Sequence, residues 1–210
     1  MGWSVGYRSP PESDLIDEIL LAAGKALYLT NLFEAKCSYV LRIATLVDIT
    51  QRDPVLTLEE AASLLPGDKM LGSTLRELLA RTDVTISQED ITLLEKARKA
   101  RNYIAHEGAG SIGDAWSRSV RQKIEGLRQL HAAVNNLARG DNIVSAWVYS
   151  IEEPREPLPL TSADYLRYVE SWVFGHVPPE WLDPAWEPNY QPPRSLKAAL
   201  AYEPWYSRSD

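Results

Sequence analysis

A single cysteine, Cys37, occurs in 210 residues, so no internal disulfide can form and a reducing compartment is expected. Nowhere do 18 apolar residues run together without a charge, which argues against a membrane-spanning helix. The opening Met1-Gly2-Trp3-Ser4-Val5 lacks the basic-then-apolar order of a secretory leader, and a cytoplasmic location is the expectation. There is no His/Cys/Asp/Glu set at metal-ligand spacing, no glycine-rich phosphate loop and no serine-centred hydrolase motif. No metal and no cofactor are therefore expected, and no internal repeat is visible. A coat of positive charge is also missing: the net charge of −7 argues against nonspecific DNA binding.

What is present is apolar mass and one basic island. Apolar residues make up 45% of the chain and seven are tryptophan, enough for a real core in one large domain or a domain with an appendage. Cys37, flanked at helical spacing by Phe33 and Tyr39-Val40-Leu41, reads as a buried structural thiol. From Lys96 to Arg128 eight Lys/Arg stand against three acids, a local +5 in an acidic protein. Such a run is either a solvated helix face or an anion-facing surface.

Helical spacing dominates the first two thirds. Ser9-Pro10-Pro11-Glu12 has the form of a helix start, and apolar residues from Asp14 to about Val47 predict one very long helix or two nearly continuous ones, weakest at Gly24 and Thr30-Asn31. Thr57-Leu58-Glu59-Glu60 is a capping box for a short helix to Leu65, and another spans Met70 to Ala80. Ser87 caps a helix running through Leu94 and Ala97 to His106. After a break at Gly108-Ala109-Gly110-Ser111, Asp114 is read as the cap of a last long helix, Ala115 to Arg139, ending with Gly140 at C′. The prediction is an all-α antiparallel bundle over residues 9–140. Residues 141–210 form an extension: a short strand at Ile143–Ser150, one helix capped at Ser162, and an irregular tail from Val177. That tail holds seven of the fourteen prolines and three tryptophans, Trp181, Trp186 and Trp205. It is expected to lie along its own bundle or a partner's, with indoles as anchors.

The chemistry concentrates in Arg101-Asn102-Tyr103-Ile104-Ala105-His106. Arginine offers a permanent, fork-shaped donor to phosphate oxygens, and histidine exchanges protons near neutral pH. On a straight helix residues five apart are rotated by about 140°, whereas Asn102 and His106, four apart, share a face. Asn102 is therefore expected to orient the imidazole while Arg101 reaches around the flank. One histidine and one arginine are few for acid–base cleavage, so a homodimer that pairs two such sets is expected. His131 reads as a core residue and His176 as a helix-end residue.

This stretch resembles the HEPN superfamily (higher eukaryotes and prokaryotes nucleotide-binding), whose signature is Arg, a polar residue that is often Asn, three further residues, then His. Arg101, Asn102 and His106 match it, with a basic apolar helix before and Glu107-Gly108 after. The resemblance covers roughly Ser9 to Arg139 and implies a helical bundle of HEPN type. It further implies a metal-independent endoribonuclease acting as a dimer. His106 would then serve in acid–base catalysis, Arg101 would hold the scissile phosphate, and Asn102 would position the histidine. Lys96, Arg98, Lys99 and Tyr103 are candidate RNA contacts, although Arg98 and Lys99 equally suit pairing with acidic neighbours. Tyr103 and Trp116 equally suit helix packing. A toxin branch of the family carries a tyrosine two residues after the histidine, a site of silencing modification; here Gly108 stands there, which removes that mode of control. The expected role is a toxin or phage-defence effector restrained by an antitoxin-like partner. The rival is a noncatalytic HEPN-like module that binds a protein or nucleotide, or serves as a scaffold.

Overall fold

The computed structural model describes residues 13–67, 70–81, 86–108 and 119–187. They form an all-α bundle, with no strand among the described residues. The elements are α1 (Ser13–Arg52), α2 (Leu58–Ser63), α3 (Leu71–Ala80), α4 (Gln88–Tyr103), a π turn (Ile104–Gly108), α5 (Val120–Glu152), α6 (Ser162–Phe174) and α7 (Pro179–Leu182).

The long first helix is continuous. Neither Gly24 nor Thr30-Asn31 interrupts its 40 residues, a rod of about 60 Å. Thr30 is fully buried, and its hydroxyl donates back to the Leu27 carbonyl at 2.7 Å, so its polar group is satisfied inside the helix. Ala22, Ala26, Phe33, Cys37 and Leu41 form the buried stripe that makes α1 the spine of the bundle. The capping box of α2 is complete: the Glu60 amide donates to Thr57 Oγ1 at 3.3 Å, and Glu60 Oε2 accepts the Thr57 amide at 2.8 Å. Ser87 caps α4 as expected. The cap of α6 is Thr161, one residue before Ser162. Ser9-Pro10-Pro11-Glu12, Asp114 and Trp116 lie outside the described residues.

Two expectations fail in α5. Its described part starts at Ser119, whose side chain accepts from the Gln122 amide, and it runs unbroken past Gly140 to Glu152. Residues 143–150 are therefore helix rather than strand, and the expected boundary at 140/141 falls inside one element. The reason is packing. Leu130, Val134, Leu137 and Val144 continue one buried stripe, and a short apolar β-branched run does not by itself distinguish strand from buried helix. Gly140 does not end a helix; it admits a neighbour. A Cβ placed there would lie 2.4 Å from Ala97 Cβ, so α4 and α5 meet backbone to backbone at this point.

Contacts fix the directions. Gly140 meets Ala97 while Gly108 meets Leu130, so α4 and α5 are antiparallel. The Asn142 amide donates to Ser162 Oγ at 3.0 Å, and His131 stacks edge-on against Phe174, so α6 folds back antiparallel on α5. The chain after α6 is less irregular than expected, because Pro179–Leu182 forms a helical turn. Arg128 holds that region, donating to the carbonyls of Trp181 at 3.0 Å and Trp186 at 2.7 Å. No described helix is long and apolar enough to cross a membrane.

Candidate active site

The helix carrying the motif passes into a π turn spanning Ile104–Gly108, with His106 at its centre. A π turn joins residues five apart by hydrogen bonds, so each step rotates less than the α-helical 100°. The angle separating Arg101 from His106 is thereby smaller than the straight helix allows. Single π turns within helices are enriched at functional sites. Ile104 and Gly108 are the buried anchors of this turn, and Ala97 and Ala100 bury the face of α4 behind it.

The opposite face is a ridge. Lys96, Lys99, Asn102 and His106 are all exposed and recur at intervals of three or four residues. His106 makes no hydrogen bond or ion pair with the described residues. Arg101 sits at the flank, partly buried, where its Nη2 pairs with Glu34 Oε2 of α1 at 2.5 Å. Its Nη1 reaches Asn102 Oδ1 at 3.4 Å, and its buried Nε has no hydrogen-bond partner. Asn102 thus leans on the guanidinium and does not bond His106, because the charged donor is the stronger partner for the amide oxygen.

Glu34 is the site residue that sequence reasoning missed. It borders the buried pair Phe33 and Cys37 on α1, and an acid at the margin of a buried face needs a cation from across the core. Charge placement within the apolar stripe was the available signal.

The other candidates divide. Lys96 and Lys99 are exposed and open to an anionic ligand. Arg98 pairs with Glu95 within its own helix at 3.0 Å, the alternative foreseen for it. Tyr103 packs against the core, with its hydroxyl 3.4 Å from Gln129 Oε1. Much of the basic island is occupied elsewhere: Lys123 is buried, Arg121 pairs with Glu187 at 3.2 Å, and Arg128 holds the Trp carbonyls. His131 bonds Glu170 at 2.9 Å and Asn135 at 3.3 Å, and His176 Nε2 donates to the Glu18 carbonyl at 3.1 Å while its Nδ1 accepts from Lys25 Nζ at 3.5 Å. Both histidines tie helices together.

A second polar cluster lies two residues along α1. Lys36 Nζ donates to both oxygens of the fully buried Asp141, at 3.0 and 2.9 Å, and to Ser145 Oγ at 2.9 Å. The Tyr165 hydroxyl donates to the same carboxylate. Burial first, then the Asp141 charge, pushes the Tyr165 hydroxyl well above its ordinary value. Cys37 is shifted the same way, chiefly by burial and then by Asp141 and Glu34. It is an inert thiol. Among the described residues no group of three or more His, Cys, Asp or Glu could hold a metal ion. Comparison with protein-family models, curated proteins and solved structures gave no match for this chain.

Proposed function

We propose that this protein is a metal-independent endoribonuclease of HEPN type, working in the cytoplasm as a homodimer. The observation that carries the reading is the exposed Lys96–Lys99–Asn102–His106 ridge, flanked by Arg101, with His106 in a π turn. The lysines would meet the RNA backbone electrostatically. In the reaction one His106 takes the proton of a ribose 2′-hydroxyl, whose oxygen attacks the adjacent phosphorus. The bond to the 5′-oxygen breaks, and His106 of the second subunit gives that oxygen a proton. Arg101, with donors left over after Glu34 and Asn102, holds the phosphate oxygens as charge builds on them. Products are a 2′,3′-cyclic phosphate and a 5′-hydroxyl, and DNA is untouched. Leu20 and Leu27, exposed on α1 and spaced seven apart, lead along one azimuth to Glu34 and supply apolar area for a second copy beside the site. The role that fits is a toxin or phage-defence effector restrained by a partner protein.

One observation favours a second reading. The close Arg101–Glu34 pair is also what a purely structural arginine would make, and it suits a noncatalytic HEPN-like binding module. Incubating purified protein with mixed RNA in excess chelator separates the two. Under the nuclease reading, cleavage falls by about 100-fold or more in Arg101→Ala and in His106→Ala while both remain folded dimers. RNA left intact by the unmutated protein under these conditions rejects the nuclease.

A further inference from the structure

Arg81 and Arg101 both reach across to carboxylates on α1, and they do so differently. Arg81 meets Asp48 with its whole fork: Nη1 and Nη2 donate to separate carboxylate oxygens, both at 2.9 Å, and its side chain is only 12% exposed. Such a two-armed pair is what a structural tie between helices makes. Arg101 meets Glu34 with one arm, Nη2 to Oε2 at 2.5 Å. Its Nη1 touches only the exposed Asn102 amide, at a long 3.4 Å, and its buried Nε has no hydrogen-bond partner among the described residues. A guanidinium carries more N–H donors than these contacts use. A purely structural arginine would have spent them, because each bare buried donor costs stability. The Arg101 and Glu34 side chains are 21% and 29% exposed, so the pair is reachable from solvent, and the ridge ending at His106 runs beside it.

Charge decides what a half-engaged carboxylate does to an arriving phosphate. A phosphodiester and a carboxylate each spread a single negative charge over a pair of oxygens, so they compete for the Arg101 donors on nearly equal terms. As the 2′-oxygen attacks and the phosphorus gains a further oxygen, the charge on the phosphate oxygens approaches double. The transition state outcompetes Glu34 where the bound substrate does not. Attraction is thereby withheld from the ground state and expressed during the reaction, which raises turnover and not affinity.

We propose that Glu34 is the positioning residue of this site: it fixes Arg101 by one arm and weakens its hold on RNA until charge develops on the phosphate. This deepens the nuclease reading and rests on it. Glu34→Gln keeps the shape and an acceptor but removes the charge. In steady-state cleavage of one RNA, KM should fall about three- to fivefold, the strength of a partly exposed ion pair, while kcat falls about tenfold. A carboxylate with only a structural role would leave both constants unchanged in the folded fraction.

Affinity is read separately by fluorescence anisotropy at low salt, with a 2′-O-methyl oligonucleotide that lacks the attacking hydroxyl. Binding tighter by about three- to fivefold is expected in Glu34→Gln, and no such gain when the same change is made in Arg101→Ala. An equal gain with and without Arg101 is a general charge effect and overturns the proposal, as does unchanged or weaker binding. Should Glu34→Gln not fold by circular dichroism, Glu34→Asp withdraws the carboxylate by one methylene and must shift KM and kcat the same way. Cleavage missing in the unsubstituted protein rejects the nuclease reading together with this proposal. Cleavage present, with KM and kcat unchanged in Glu34→Gln, rejects the proposal alone.

Discussion

Gly140 and Arg101 show how single residues, by lacking a side chain or by having spare donors, set what the bundle can do. Gly140 brings α4 onto α5 and so anchors the helix that carries the motif. Gly140→Ala should destabilise the fold by about 1–2 kcal/mol in urea titrations, the overpacking cost exceeding the gain in helix propensity. Ala97→Gly should recover part of that loss in the double variant, because the two Cβ positions are the ones that collide. An unchanged midpoint in Gly140→Ala would show that the helices separate freely there. Arg101 differs in kind. Its identity and its spacing from His106 are visible in the chain, whereas its engagement by Glu34, 67 residues earlier, is a product of folding.

Among the elements, the π turn is where local geometry and proposed chemistry meet. It places one extra residue in a helical turn, a conformation generally less favourable than the plain helix it interrupts. Deleting Ala105 should let α4 continue regularly, holding or raising the thermal midpoint while abolishing RNA cleavage. Loss of folding on that deletion would instead make the turn a structural necessity. Helix starts at Thr57 and Ser87 were readable because caps are local chemistry. The path of α5 was not. Gly140 and the β-branched run after it look like a stop followed by a strand, and only burial of Val144 in the continuing stripe overrides them. The turn at Ile104–Gly108 likewise has no local signature in Ile-Ala-His-Glu-Gly.

Across the whole molecule, two acidic groups, the buried Cys37 thiol and the partly buried Tyr165 hydroxyl, link stability to alkaline pH. Burial raises Tyr165 above its ordinary 10.0 and Cys37 above its ordinary 9.0. In both cases the folded state holds the proton more tightly than the unfolded chain. Their stabilisation is complete below the unfolded values and is lost as pH rises above about 9 for Cys37 and 10 for Tyr165. Urea midpoints should therefore fall steadily above pH 9. Tyr165→Phe should flatten the part of that fall above pH 10, although the variant gives up the bond to Asp141 and starts less stable. A slope identical to that of the unsubstituted protein would show that Tyr165 ionises as freely folded as unfolded.

The all-helical class, the caps at Thr57 and Ser87 and the burial of Cys37 were determined by the sequence alone, as was the spacing of Arg101, Asn102 and His106 along the chain. Each depends on residues within a turn or two of one another, or on a periodicity that one helix displays by itself. The continuity of α5, the partnership of Glu34 with Arg101 and the Lys36–Asp141–Tyr165 cluster were decided only by tertiary structure. They join residues tens to more than a hundred positions apart, and their stability comes from mutual burial, a quantity no single segment possesses until the helices pack.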